Sequence, residues 1–340
     1  MAVSARDVAK VAGVSVSTVS RALTRPDDLA PETLAKVLET ARAMGYHPNP
    51  AARGLTTGRT STIGLIVPDL ENPFFSAITK GAQARARAAG YGVMIADSDE
   101  DPSQEADLIR EMARQVDGLL LCSPRSPDDA LTDLAQLAPL VLVNRQCGSL
   151  PAVLIDNMGG VRLALEHLRA LGHRTIAYVG GPATSWSSRE RLTAAQTIAA
   201  QYPDTELLDL GSFQPYVAGG IAAGDLLIAS GASAALAYND LVAFGLLDRL
   251  KQRGVLVPED ISVVGVDNIP MSALSSPALT SAGIPQVNCG RAGADMLVAL
   301  LRRPDVPPTH HQDLSFQLVV RESTAPYNVH ARLRTAAQPA

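Results

Sequence analysis

The spacing of apolar residues changes once along the chain. Up to residue 45 it follows a helical period. "ARDVAKVA" puts Val8, Ala9 and Ala12 on one stripe, with Ser4 placed to cap its start. Gly13 then interrupts, a residue suited to the left-handed turn that closes a helix. A second helix, "VSTVSRAL", follows the cap residue Ser15 and turns Val14, Val19 and Leu23 inward. The third, "PETLAKVLETARAMG", opens on Pro31 and Glu32 and stops at Gly45. Residues 48–60, "PNPAARGLTTGRT", make a weaker case for a helix. About eight residues containing Gly54, Thr56 and Thr57 are too short and too poor in helix formers to be stable alone.

From Thr62 the pattern becomes short apolar runs separated by helical stretches: "TIGLIV", "GVMIAD", "GLLLCS", "LVLVN", "TIAYVGG", "ELLDLG", "AALAYND" and "ISVVGVDN". Strand–helix alternation at this spacing predicts parallel sheets covered by helices, and ten or so strands suit two sheets better than one. The predicted fold is an α/β core of two doubly wound parallel-sheet lobes, preceded by a small all-α helix-turn-helix head. Asp69, Asp97, Asn144, Asn239 and Asp267 fall where strands end. Open parallel sheets bind ligands just beyond those ends, so a crevice between the lobes is the expected site. Asn239 and Asp267, taken singly, read more readily as caps of the helices that follow them, and it is their convergence with an arginine and rings that favours a site.

Charge sharpens the division. Residues 1–59 carry eight Lys/Arg against five Asp/Glu, a surplus of +3 within a total of −5, which leaves −8 for the rest. A basic head on an acidic body fits a protein whose head alone meets a polyanion. On the second helix, inward Val14, Val19 and Leu23 leave Val16, Ser17, Ser20 and Arg21 outward. Small side chains let a helix sink into a major groove, hydroxyls such as those of Ser15 and Thr18 bond phosphates, and Arg21 suits guanine O6 and N7. The same spacing also describes a plain helical hairpin with a solvated hydroxyl face.

The apolar fraction of 46% indicates folded domains, and no apolar run approaches the roughly 18 residues of a membrane span. Arg6, Asp7 and Lys10 stand where a signal peptide would carry its apolar segment, so a cytoplasmic protein is expected. Cys122, Cys147 and Cys289 are odd in number and scattered, which suggests neither disulfide framework nor zinc site. No P-loop, nucleophile elbow or dinucleotide fingerprint is present, and His310 and His311 point apart if they lie on a strand. No catalysis, metal or cofactor is expected.

"DVAKVAGVSVSTVSRAL", "PETLAKVLETARAMGYHPNPAARGL", "IGLIVPDLENPFF", "HLRALGHRTIAYVGGP", "NDLVAFGLLDRLKQRGVLVPEDISVVGVDN" and "LVVREST", in that order, resemble the lactose-repressor (LacI) family of bacterial transcription regulators. The resemblance runs through nearly the whole chain. It implies a DNA-binding head (1–47), a hinge helix and linker (48–60), and an effector-binding, dimerising core (61–340). Within that core the N-lobe would be about 61–158 plus 287–320, and the C-lobe about 159–286 plus the C-terminal segment. It also implies that Val16, Ser17 and Arg21 read bases, that Leu55, beside Ala52, wedges into the minor groove, and that the hinge orders on DNA. For the core it implies a sugar-type effector held by Asn72, Phe74, Phe75, Asn144, Arg145, Arg191, Phe213, Asn239 and Asp267.

Carboxylates, amides and guanidinium groups exchange hydrogen bonds with hydroxyls, and rings cover C–H faces. Asn144 replaces an Asp common in relatives, and Ile284 replaces a Gln. Trp186 adds a possible ring beside Arg191. The expected function is a dimeric repressor binding a palindromic operator and controlled by a monosaccharide, with a pentose favoured, or by a nucleoside. No leucine heptad follows the core, which favours a dimer. The alternative is a stand-alone sugar-binding protein without operator recognition.

Overall fold

The computed structural model describes residues 3–24, 26–46, 59–303, 305 and 310–328. Ala52 and Leu55, with the hinge around them, lie outside the described residues. Contacts divide the chain into Met1–Ser61 and Thr62–Ala340.

In the first unit, α1 (Ala5–Ala12) starts at a reciprocal cap, with the Ser4 side chain accepting from the Asp7 N–H and Asp7 accepting from the Ser4 N–H. Gly13 at φ +66° ends it, where a β-carbon would be strained. The helix α2 (Val16–Thr24) begins after Ser15, whose Oγ accepts from the Thr18 N–H at 3.1 Å. A 3₁₀ turn (Pro26–Asp28) leads to α3 (Pro31–Ala43). Val8, Ala9, Ala12, Val19, Ala22, Val37 and Ala41 make the buried core, with Val14 and Leu23 packed against it.

The second unit holds two six-stranded sheets. The first runs β2 (Gly92–Asp97), β1 (Thr62–Val67), β3 (Gly118–Cys122), β4 (Leu140–Val143), β5 (Ala152–Ile155), β11 (His310–Leu314), all parallel. The second runs β7 (Glu206–Ser212), β6 (Thr175–Gly180), β8 (Ala234–Ala237), β9 (Ser262–Asp267), β10 (Thr280–Gly283), β12 (Gln317–Val319). Among the described residues, only the pairing of β12 with β10 is antiparallel. Central strands such as "GLLLC" and "LVLV" are buried at every residue, as strands covered on both faces must be, whereas the edge strand β7 is largely open.

Helices α4 (Pro73–Ala88), α5 (Pro102–Met112) and α6 (Asp128–Leu134) serve the first sheet. Helices α7 (Asn157–Ala170), α8 (Trp186–Ala199), α9 (Val217–Ser230) and α10 (Asp240–Gln252) serve the second. Helix α11 (Gln286–Arg302) returns to pack on α4 and on β3–β5. The chain therefore crosses between lobes three times: before α7, between β10 and α11, and between β11 and β12. The last crossing corrects the expected N-lobe limit of 320. Residues 317–319 pair with β10, so the N-lobe's final strand ends at Leu314. Among the described residues no helix is long and apolar enough to cross a membrane.

Candidate functional site

The carboxyl ends of both sheets converge on one narrow cavity of about 10 Å³, about the room of a single water. The N-lobe lines it with Asn72, Phe74, Phe75, Glu100, Ser123, Arg125 and Asn144, the C-lobe with Ser187, Arg191, Pro215, Tyr238, Asn239 and Asp267. Seven expected residues thus meet there: Asn72, Phe74, Phe75, Asn144, Arg191, Asn239 and Asp267.

The C-lobe wall centres on Arg191. Its Nε donates to Asn157 Oδ1 at 2.9 Å and its Nη1 to the Tyr238 carbonyl at 2.6 Å. Its Nη2 stands 3.8 Å from Asp267 Oδ1, too far for a hydrogen bond. Burial pushes the Asp267 carboxyl well above the ordinary carboxylate range, Arg191 opposes this, and Asp240 adds to it. Asp267 sits at φ +115° and Asn268 at +52°, strained for side-chain-bearing residues. Asp240 holds this loop. One oxygen accepts from the Ile269 N–H and the Ser272 hydroxyl, and the other from Ser281. Burial raises the Asp240 pKa to about 6, against these hydrogen bonds.

The N-lobe wall is built around a tighter pair. Arg125 Nε and Nη2 fork onto both Glu100 oxygens at 2.5 and 2.8 Å, and Nη1 donates to the Ser123 carbonyl. Glu105, buried on α5, accepts from the Arg125 and Ser126 N–H groups and fixes this loop. Asn144 donates to Ser123 Oγ at 2.9 Å, while its Oδ1 has no partner among the described residues. Phe74 and Phe75 meet edge to face, their centroids 5.2 Å apart.

Asn72 and Asn239 line the cavity and also cap helices, accepting from the Phe74 and Val242 N–H groups. For Asn239 the cap and the cavity position coincide. Two expected residues lie elsewhere. Arg145 is buried away from the cavity, with Nη2 bound to the Ser126 carbonyl and to Asp128 Oδ1. Phe213 lines a separate depression with Pro182 and Ala183. Trp186 packs on an N-lobe apolar cluster and Ile284 is buried in the core.

Glu100, Ser123, Arg125, Ser187, Pro215 and Tyr238 were missed from sequence. One signal appears only in three dimensions. Of seven non-glycine residues with positive φ among those described, Glu100, Ser123, Asn144 and Asp267 all face this cavity. Tyr238 has a quieter signal in "VGGP", since a β-carbon at Gly181 would lie 2.5 Å from its ring.

On the head, Ser15, Val16, Ser17, Ser20 and Arg21 are exposed, and Thr18 half-buried, along one side of α2. Val16 is 43% exposed, though Val11 on α1 is more so at 64%. Arg21 Nε reaches back to the Ser17 carbonyl at 3.4 Å.

A helix-turn-helix head and a two-lobed core with a polar cavity between its sheets define a ligand-responsive DNA-binding protein. Residues 4–49 match the family model for bacterial regulatory proteins of the lacI family, and residues 165–324 that for a periplasmic binding protein-like domain. The chain is 34% identical over 329 residues to the transcriptional repressor CytR of Escherichia coli K12, covering 94% of this chain and 95% of CytR. Its fold is similar to a Lac repressor dimer bound to operator and the anti-inducer ONPF, with TM-score 0.83, 26% identity, and 96% and 100% of the two chains covered. It is also similar to a ribose-bound LacI-family regulator of Enterococcus faecium, with TM-score 0.70, 30% identity, and 78% and 100% covered. The chain belongs to the LacI family of DNA-binding transcriptional regulators. Those relatives are regulators, not enzymes.

Proposed function

We propose that this regulator is a repressor that binds a near-palindromic operator as a homodimer, acts in the cytoplasm on nucleoid DNA, and changes operator affinity when a small polyol occupies the interlobe cavity. A monosaccharide, with a pentose favoured, is the preferred ligand, and a nucleoside is next. The observation that carries the reading is the cavity lining itself, where carboxylate, amide and guanidinium groups of both lobes converge beside two phenyl rings. Ribose in the Enterococcus relative supports the pentose, and the operator-bound dimer supports the assembly. The effector contacts proposed are Asn72, Phe74, Phe75, Asn144, Arg191, Asn239 and Asp267; Arg145 and Phe213 drop out because their side chains sit elsewhere.

For DNA, Ser15, Val16, Ser17, Thr18, Ser20 and Arg21 form the reading face, with Ala52 and Leu55 assigned from the family resemblance. Fluorescence anisotropy against an operator and its single-base variants tests this. Arg21→Ala should cost about 1–3 kcal/mol and relax preference at one base pair per half-site. Equal losses on every sequence would show that Arg21 touches phosphate only. Closing both lobes on a ligand would supply coupling of roughly 1–3 kcal/mol, a 5–150-fold change in operator affinity.

A further inference from the structure

We infer that the interlobe cavity takes only uncharged ligands and excludes phosphorylated ones, with the Glu100–Arg125 pair as the element that sets this. The inference rests on the effector reading above and narrows its ligand class.

The ionisable groups lining the cavity are Glu100, Arg125, Arg191 and Asp267, two acids against two bases. A phosphate would need a free cation: Arg125 offers none, and Arg191 only its Nη2, which faces the Asp267 carboxyl at 3.8 Å. All three nitrogens of Arg125 are engaged, two of them bidentate on Glu100, with side-chain exposures of 1% and 10%. Arg191 is committed to Asn157 and the Tyr238 carbonyl, and faces Asp267 with what remains. Three helices begin at the cavity, and such ends ordinarily draw anions. Here the side-chain cap of each takes up one first-turn N–H: Asn72 that of Phe74 on α4, Ser185 that of Ser188 on α8 and Asn239 that of Val242 on α10.

The surroundings add negative charge. Tyr216, next to the cavity-lining Pro215, is pushed up to about 12 by burial and then by the charges of Glu100, Asp69, Asp99 and Asp97. Asp69 is itself buried, with Oδ2 unpartnered among the described residues. An anion would meet acceptors and like charge, the arrangement that rejects a wrong partner. Hydroxyls meet what they need: the Asp267 carboxylate and Asn144 Oδ1 accept, and no net charge must be neutralised.

Isothermal titration of the full-length protein with D-ribose against D-ribose 5-phosphate, and uridine against uridine 5′-monophosphate, tests the inference. A neutral ligand should bind and its phosphate ester should bind at least about 100-fold more weakly. Glu100→Gln unpairs Arg125 and should narrow that ratio at least about tenfold. The double variant Glu100→Gln/Arg125→Gln, neutral again, should restore it even if the single variant folds poorly. An ester that binds wild type within tenfold of its neutral parent overturns the inference and leaves the effector reading intact. Silence from every ligand overturns the effector reading itself.

Discussion

The two walls of the cavity use the same chemistry to opposite ends. On the N-lobe, Arg125 and Glu100 grip each other at 2.5 and 2.8 Å in a bidentate fork that leaves neither group looking for a partner. On the C-lobe, Arg191 and Asp267 stop 3.8 Å apart, and among the described residues the Asp267 carboxylate meets no closer donor. One pair is closed and governs the charge of the cavity. The other is open, holding a desolvated acceptor in place at the cost of burial and backbone strain. A buried carboxylate left short of donors is a poor structural element and a good receptor for hydroxyl groups. On the proposed reading, the open acceptor of the C-lobe wall serves recognition and the closed pair of the N-lobe wall serves exclusion.

The largest expected effect follows from removing the open acceptor. Asp267→Ala should weaken effector binding by about 1.5–3 kcal/mol, roughly 10–150-fold, the range for hydrogen bonds to a charged group. Operator affinity without effector should stay near wild type. Calorimetry for the effector and anisotropy for the operator read the two separately. Lost operator binding with intact effector affinity would make Asp267 a structural residue and erase the contrast between the walls.

How far the sequence revealed this differs between the regions. The head was legible because each of its elements announces itself locally. Ser4 and Ser15 sit one residue before their helices, Gly13 takes the φ it was chosen for, and the apolar stripe of α1 is complete within eight residues. Strands β1–β4 and β6–β9 were legible for a similar reason, through apolar runs; of the five strand-end amides and carboxylates, Asn144, Asn239 and Asp267 reach one cavity, while Asp69 and Asp97 do not line it. The closed pair was not. Glu100 and Arg125 are 25 positions apart, on loops after β2 and β3 that carry no periodic pattern, and only the parallel pairing of β1 with both strands brings them together. Arg145 and Phe213 failed for the converse reason. Their positions were right to within a residue or two of a strand end, but side-chain direction there depends on loop backbone that local sequence does not specify. Asn144 lines the cavity at φ +56°, while its neighbour Arg145 turns to Asp128.

The second effect concerns the support behind the open acceptor. Asp240 binds Ile269, Ser272 and Ser281, and through them keeps Asp267 in its strained conformation. Asp240→Asn should cost about 1–2 kcal/mol of stability by losing charged hydrogen bonds. It should also change the pH profile. The Asp240 pKa is raised from 3.8 to about 6 in the folded protein, so the folded state holds its proton longer than the unfolded chain does. This group's contribution is therefore complete below about pH 4 and is lost as pH rises through about 6. Urea unfolding of wild type at pH 4.5 and 7 should show that decline, and Asp240→Asn should flatten it. An identical slope in the variant would assign the pH dependence to other groups.

The smallest effect comes from making the N-lobe wall resemble the C-lobe wall. Asn144 gives its amide to Ser123 Oγ at 2.9 Å and presents an Oδ1 with no partner among the described residues. In Asn144→Asp, the Ser123 hydroxyl can turn to donate to the new carboxylate, and the other oxygen becomes a charged acceptor for the ligand. Charge-assisted hydrogen bonds are roughly twice as strong as neutral ones, but a second buried carboxylate beside Glu100 must also be desolvated. The gain in affinity for a neutral polyol should therefore be at most about 1 kcal/mol, less than tenfold, while discrimination against its phosphate ester increases. Because the gain needs a ligand hydroxyl within reach of residue 144, comparing D-ribose with its 2-deoxy and 3-deoxy forms on both proteins shows which hydroxyl faces the N-lobe. If all three sugars shift equally between wild type and Asn144→Asp, no ligand hydroxyl meets this wall, and the C-lobe alone recognises the effector.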